Sequence, residues 1–522
     1  VCASPFLARG LLGSVLVLAG GLVVSTIPAT APVLRSDLLA AVRGAEAGRM
    51  AGLSVVLVGL ALLAAAWLAL CRHASVADDP AAQREGVDLV RFATLVWCAP
   101  LLLAPPLFSR DGWSYAAQGM LARVGLSPYE NGPVALLPDF WSLLRHGPAP
   151  IVQAVDPMWM DTSAPYGPLP LVFGALVAGE TGNPWMLVIA HRVLALVGLV
   201  LLAWAVPRMA AWTGVHPGLA SAVVLASPLM LANGVGGLHN DLLMVGLMAA
   251  GLVLAVERGW AWGAVAGGMA AAVKLPGGLV CIAVALIALA PGTPLSARVR
   301  RLAGVAAVSL TTLFGLGVVT GLGHGWVHAL SVPGEVETPL SITTMTGKGL
   351  DGVAAVLGLG TGPDTFRDLL RAVGVLVTLA VAAWVALRWR TGDPARAIAA
   401  VALTSGLFVV LCPTVHLWYF LMLPPFLATL RLSRPAMAAL VVLSVVLGLV
   451  APLDSSLHGA YLAIVTGCMT IAVLVPPLLL TRRARAGLDR IVVRRADRIG
   501  SGRHGDPGRR HAVDLQHPLD GP

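Results

Sequence analysis

The sequence predicts an all-α polytopic membrane protein of about fourteen transmembrane helices with two long extracytoplasmic segments. Three observations carry that expectation. Of 522 residues, 57% are hydrophobic and only 12% are charged, about half the charge of an ordinary soluble domain. So few polar side chains cannot cover a soluble core, and the mean hydropathy of +0.84 agrees. Apolar stretches near the length that crosses a bilayer recur along almost the whole chain.

Cutting those stretches at charges, prolines and glycines places spans at 6–27, 50–70, 90–108, 185–206, 217–235, 240–256 and 260–273. Seven more fall at 276–291, 302–320, 370–387, 396–412, 416–430, 436–452 and 459–480. The pair around Lys274 is short and reads as a hairpin of two half-length helices. The first span has a signal-peptide alternative, with Ala29-Thr30-Ala31 as the cleavage site. Its leading region holds only Arg9, which favours a retained helix. The chain divides into two additional N-terminal spans (1–89), a core with the first outer loop (90–301), C-terminal spans with the second (302–480), and a basic tail (481–522).

Cytoplasmic loops retain Lys and Arg. With both termini inside the cytoplasmic membrane, 24 of the 35 basic side chains fall on the inner side and 15 of the 26 acids on the outer. The net charge of +9 is then an orientation signal, and no nucleic-acid partner is needed. The tail lacks a sustained apolar pattern; its first part suits anionic membrane lipids and its remainder reads as disordered. The six cysteines lie in or beside apolar runs without metal or CxxC spacing, so they read as small core residues.

Two long stretches, 109–184 and about 321–369, fall outside. The first carries Trp113, Tyr115, Tyr129, Trp141, Trp159, Tyr166 and Trp185, a density suited to a membrane interface and to stacking on sugar rings. Residues 167–180 are apolar but short, and read as a helix lying at the outer interface. Where the third span ends, Arg110-Asp111-Gly112-Trp113-Ser114-Tyr115 puts an acid at the membrane surface. Position alone fits a solvated anchor as well as a general base, which a partly desolvated carboxylate can be.

The run from Asp111 through Tyr115-Ala116, Arg123 and Gly125 to Pro128-Tyr129 resembles the first outer loop of the glycosyltransferase-C superfamily. Thr162-Ser163-Ala164-Pro165-Tyr166-Gly167-Pro168 looks like the start of that family's interfacial helix, and His191-Arg192 like the opening of its next span. The likeness covers roughly residues 90–300. It is nearest to the actinobacterial polyprenol-phosphomannose-dependent α-1,6-mannosyltransferases, which build the backbone of lipomannan and lipoarabinomannan. That resemblance implies the glycosyltransferase-C fold, a polyprenyl-phosphomannose donor, a lipid-anchored mannan acceptor, and Asp111 as the catalytic base of an inverting transfer.

Other candidates follow from position within that frame. His239, Asn240 and Asp241 open a helix at the second outer turn, where capping competes with sugar binding. Lys274, one of only two lysines, suits a donor phosphate or snorkelling. Arg192 is the second phosphate candidate. Asp156 and Asp161 flank Trp159 as an acceptor site, with an ordinary hydrated loop as the alternative. Tyr115, Tyr129 and Tyr166 join as sugar contacts. His416 and Tyr419 lie where a helix meets the outer side, where contact with donor or acceptor competes with a satisfied interface histidine. Glu335, Glu337, Lys348, His324 and His328 form a charged set in the second outer segment, more readily read as solvated loop than as a site for lipid phosphate or acceptor mannan. One His and one Asp are too few for a metal site, so no cofactor is required and ligand spacing does not support a divalent ion.

No GxGxxG or GxxxxGK[ST] loop occurs, which argues against a nucleotide-sugar donor. An arabinofuranosyl transferase is the rival enzyme. A polyprenyl-linked glycan flippase is the rival of another class, and should show repeated halves and broken helices near the membrane centre. Topology tests the whole scheme: a reporter placed at Gly125 should be detected outside the cytoplasm, and a cytoplasmic signal would overturn it.

Overall fold

The computed structural model describes residues 4–75, 79–137, 150–327, 332, 334, 336–454 and the positions 470, 473–475, 477, 481, 482 and 486. Trp141, His328, Glu335 and, apart from those positions, the expected span 459–480 and the tail lie outside them. All regular structure among the described residues is helical. In chain order the main helices are α1 (Pro5–Val24), α2 (Glu46–Ala74), α3 (Pro80–Leu101), α4 (Asp111–Arg123), α5 (Pro168–Glu180), α6 (Pro184–Thr213) and α7 (Pro217–Leu225). They continue with α8 (Asp241–Glu257), α9 (Trp260–Val273), α10 (Val280–Ile287), α11 (Leu295–Val319), α12 (Ile342–Val356), α13 (Thr365–Arg388), α14 (Pro394–Leu411) and α15 (Arg434–Leu449).

Six of these, α1, α2, α6, α11, α13 and α14, are long and apolar enough to cross a membrane. A seventh forms if α7 and the π-helical segment Met230–Gly236, bent by 52° at their junction, count as one broken span. Of the other expected stretches, α8 has 17 residues and α9 has 14. The first half of α3 carries Arg84, Glu85, Asp88 and Arg91, which shortens its apolar face. The stretch expected at 416–430 is not one helix: the 3-10 turn Leu417–Met422 gives way to Pro424–Leu427. Pro424 and Pro425 remove the amide donors that would carry the first helix on. The hairpin at Lys274 does form from two short pieces, α9 and the 3-10 turn Leu275–Leu279 leading into α10.

The starts of these helices are written in the sequence. Asp79 accepts the Ala82 N–H before Pro80, Asn183 accepts the Trp185 and Met186 N–H groups before Pro184, and Asp393 accepts the Ala395 N–H before Pro394. Each pairs a capping side chain with a proline whose missing donor costs nothing in the first turn. At the other end of α6, Gly214 turns left-handed at φ 65°.

The largest core joins α1, α2, α3, α6, α7, α8, α14 and α15. Trp67 on α2 donates to the carbonyl of Ala222 on α7 at 2.8 Å, which fastens the N-terminal pair to the rest. The lipid-like outer surface is plainest on α11 and α13, where Val319 is 85% and Leu376 64% exposed. Stretches of that kind facing outward suit hydrocarbon, not water. The chain is a membrane protein on this ground and on its helix lengths.

The apolar segment 167–180 forms α5, which packs on α4, α6, α9 and α11. Its approach to α4 is close: a Cβ built on Gly119 would lie 2.6 Å from the Cα of Gly174. Gly119→Val should therefore lower thermal stability by about 1–3 kcal/mol through overpacking. Gly315→Ala, at a helical position open on all sides, should be neutral or slightly stabilising. Equal effects of the two on the melting temperature would show that the α4–α5 contact is not tight.

Candidate active site

Three turns at one end of the bundle bring the chemistry together. The first follows α3, where Pro105 and Pro106 stop the helix and Phe108 takes a left-handed φ of 65°. Asp111 then heads α4, its N–H bonded to Ser109 Oγ at 3.0 Å. The second turn follows the π-helical segment, where Leu238 is left-handed at φ 60°, just before His239. Large apolar residues adopt that conformation only at a cost of about 1 kcal/mol or more, so surrounding contacts must hold both turns. They do: a Cβ at Gly112 would come within 2.8 Å of both Leu238 and Pro106. Glycine beside the acid lets the two turns meet.

Arg192 joins the same two turns from below. Its guanidinium, 1% exposed, donates to the carbonyls of Leu102 and Pro105 on one side and Val235 and Gly236 on the other, at 3.0–3.3 Å. Leu107 N–H adds a bond to Gly236 O at 3.0 Å. The donors expected to meet a donor phosphate are thus spent on backbone carbonyls, and Arg192 positions the turns that carry Asp111 and His239. Those carbonyls are free to accept because the π-helical segment and the turn after α3 break the ordinary helical ladder.

Around Asp111, Tyr115 Oη donates to Asp111 Oδ2 at 3.4 Å, and His239 Nδ1 lies 3.7 Å from the same oxygen. Burial pushes the His239 imidazole well below its ordinary pKa, and the positive charge of Lys274 adds to that. A neutral imidazole at 3.7 Å is a neighbour of the carboxylate, not an ion-pair partner. Tyr166 meets Tyr115 edge-on at 5.0 Å between ring centroids. Burial raises both phenols well above their ordinary range, and the nearby carboxylates reinforce it. Both therefore remain O–H donors at neutral pH.

The third turn is the hairpin tip. Lys274 Nζ donates to both carboxylate oxygens of Asp241, at 3.1 and 3.2 Å, with side chains 12% and 2% exposed. The same ammonium sits 4.0 Å above the Tyr419 ring, a cation–π contact. Gly167 N–H binds Val273 O at 3.1 Å and so brings Tyr166 beside Lys274. Trp418 stacks on His239 at 3.6 Å and on His416 at 4.5 Å. Asp111, Tyr115, Tyr166, His239, Asp241, Lys274 and His416 thereby form one cluster with Trp418 and Tyr419. The Nδ2 of Asn240 is buried beside it with no hydrogen-bond partner among the described residues.

The stretch from Val336 to Thr344 holds the 412–419 loop in place. Ser341 Oγ donates to Cys412 O, Thr344 Oγ1 to Pro413 O and Thr414 Oγ1 to Val336 O, while Val415 N–H binds Thr338 Oγ1. Glu337 pairs with Lys348 and with Arg367, at 2.7 Å for the latter. Its carboxyl is held below the usual range by those two hydrogen bonds. The charges of this segment are used to build it.

Other expected site residues belong to other packing groups or turns. Tyr129 is 3% exposed and packs with Trp326, Ala164 and Leu171 in a separate apolar group. Asp156 caps the turn at Pro157 by accepting the Met158 N–H, Trp159 packs partly buried near Trp113, and Asp161 is exposed. No group of three or more His, Cys, Asp or Glu that could hold a metal occurs among the described residues. Sequence reading passed over Ser114 and Gln118, whose buried oxygens lack hydrogen-bond partners among the described residues. Their spacing from Asp111, three and seven residues, was the available signal, because it places them on the same helix face. Trp418 gave no such signal; its partner His239 is remote in sequence.

Fold and cluster together describe a polytopic helical membrane protein whose buried ionisable residues converge at one end of the bundle. The family described as alpha-(1->6)-mannopyranosyltransferase, N-terminal domain, matches residues 7–290, and the MptB C-terminal domain matches residues 343–481. The chain belongs to the alpha-(1->6)-mannopyranosyltransferase family and is a glycosyltransferase. It is 32% identical to alpha-(1->6)-mannopyranosyltransferase A of Mycobacterium tuberculosis over 466 residues, covering 87% of this chain and 85% of that protein. The protein of the same name from Corynebacterium glutamicum is 27% identical over 408 residues, covering 74% and 80%.

The Lys274–Asp241 pair should dominate the stability of this end. Removing either partner alone, as Lys274→Met or Asp241→Asn, leaves a buried charge uncompensated and should cost about 3–5 kcal/mol. The double variant should recover part of that loss. Strictly additive losses in a denaturation cycle would show that the two groups do not interact.

Proposed function

We propose that the chain transfers mannose from polyprenyl-phosphomannose to a lipid-anchored mannan acceptor, forming α-1,6 bonds of the lipomannan and lipoarabinomannan backbone. The observation that carries this reading is the carboxylate of Asp111, buried at a helix head with Tyr115 and a neutral His239 against it, in one cluster with Tyr166 and the Lys274–Asp241 pair. The names of the relatives support mannose as the sugar and α-(1→6) as the bond.

Asp111 takes the proton of the acceptor 6-hydroxyl as that oxygen attacks the anomeric carbon. The bond from that carbon to the phosphate oxygen breaks, and polyprenyl phosphate leaves with the electron pair. A β-linked donor then gives an α-linked product by inversion. One carboxylate suffices because a phosphate leaving group needs no protonation, unlike the paired acids of glycosidases. Lys274 offsets charge that develops on the phosphate, while Asp241 holds its ammonium in place and Tyr419 lies under it. Tyr115 orients Asp111. Trp418, His239, Asn240 and Tyr166 line the sugar. No resident cofactor enters the step.

The same reading assigns the glycosyltransferase-C fold, fourteen crossings with both termini in the cytoplasm, and the cluster on the outer face of the cytoplasmic membrane. A donor on that face has to be lipid-linked, since nucleotide sugars remain inside. The bend between α7 and the π-helical segment is the feature a flippase would use, but here Arg192 occupies the carbonyls at the end of that segment.

Membranes carrying the wild type should transfer label from polyprenyl-phosphomannose to a short α-1,6-mannoside. Asp111→Asn, which keeps the shape and removes the base, should lower that rate by about 10²–10⁴-fold. Unchanged transfer by the variant would sink the base assignment, and a folded wild type inactive with this donor would move the reading to another sugar or to transport.

A further inference from the structure

A second polar site lies at the opposite ends of the helices that carry the cluster. Helix α14 runs from Pro394 to Leu411 and then into His416 and Trp418. Its 18 residues span about 27 Å at the usual rise. The hairpin runs likewise from Lys274 through α10 to Pro291 and Gly292. At that far end is a cavity of about 510 Å³, lined by Arg298, Arg388, Arg390 and Arg396 with Trp389 and Asp393.

Four guanidiniums face one acid there, and that acid is engaged as the α14 cap. Among the described residues none of the four forms a salt bridge. Arg298 is 8% exposed, and its Nη1 is buried without a hydrogen-bond partner among those residues. A buried guanidinium nitrogen without an acceptor costs well over a neutral group's desolvation. An acceptor supplied from outside would remove that cost.

The cavity walls are fixed by direct bonds. Thr391 Oγ1 donates to Ala290 O at 2.7 Å and Gly392 N–H to Leu286 O at 3.0 Å, tying the α13–α14 turn to the end of α10. Trp389 Nε1 donates to Arg396 O at 2.8 Å and stands edge-on to Trp384 at 5.4 Å. The arginines therefore project from a braced frame, with an indole beside them. Planar guanidiniums match the oxygens of phosphate in paired geometry, and the apolar α11 and α13 surfaces run from this rim along the bundle.

We propose that this pocket binds a phosphate group, from an anionic phospholipid headgroup or from a free phosphate compound, at the end of the bundle away from the Asp111–Lys274 cluster. The occupant bridges α11, α13, α14 and the turn after α10, and two of these elements, α14 and the hairpin that contains α10, lead at their other ends to His416 and Lys274. This does not depend on the sugar or donor assigned to the cluster.

The test uses the full-length protein in detergent, with native mass spectrometry for retained lipid and thermal unfolding for stabilisation. The probes are phosphatidylglycerol, phosphatidylcholine as the zwitterionic control, and inorganic pyrophosphate. Arg388→Gln/Arg396→Gln alters exposed side chains and should fold; its melting temperature without ligand checks that. Arg300→Gln removes an exposed charge of the same α11 end that does not line the pocket. The expected result is preferential retention of phosphatidylglycerol, at least tenfold weaker in the double variant and unchanged in Arg300→Gln. Stabilisation by pyrophosphate alone, lost in the double variant, would support the pocket with a soluble occupant. Equal binding by all three proteins, or no preference for either anionic probe, would overturn it.

Discussion

Arg192 is the constraint on which the arrangement of this protein rests. A guanidinium buried in the bundle must find acceptors, because its charge cannot be neutralised by losing a proton. It finds them in backbone carbonyls that ordinary helices would have kept for themselves. The proline stop after α3 releases two, and the π-helical segment releases two more. Each irregular turn would be unfavourable alone. Together they satisfy the arginine, and the arginine holds them close enough for Asp111 and His239 to share a site.

The electrostatics of that site follow from depth. One ammonium faces two carboxylates, and it is committed to Asp241 by two hydrogen bonds. Burial keeps His239 neutral and both phenols protonated. Among the described residues, Tyr115 and His239 stand at the Asp111 carboxylate as neutral groups, an arrangement that suits the base proposed for it. Buried polar atoms of Ser114, Gln118 and Asn240 surround it with hydrogen-bonding capacity that the protein's described residues do not use.

Remote parts of the chain serve the same end. The N-terminal pair reaches the acid through Thr26, whose hydroxyl accepts from Arg110 Nε at 3.1 Å and whose carbonyl accepts from Trp113 at 3.2 Å. The segment expected outside, whose charges read as solvated, is a brace for the loop of His416, Trp418 and Tyr419. Glu337 and Lys348 satisfy each other there. A loop that long persists because its hydrogen bonds end on the loop it supports.

What the sequence by itself determined is the membrane class, the half-length hairpin at Lys274 and the acid after α3. These depend on local composition and on residues a turn or less apart, so the chain's own order displays them. The likeness of Asp111–Tyr129 to a known loop added the activity class. Tertiary structure alone decided that Lys274 would pair with Asp241, that Trp418 would cover His239, and that Arg192 would turn to carbonyls. It also moved Tyr129 into an apolar group and left Asp156 as a cap. Each of those outcomes depends on which helix faces which. That is settled by long-range packing and by the need to satisfy buried charge, and neither leaves a mark on sequence spacing.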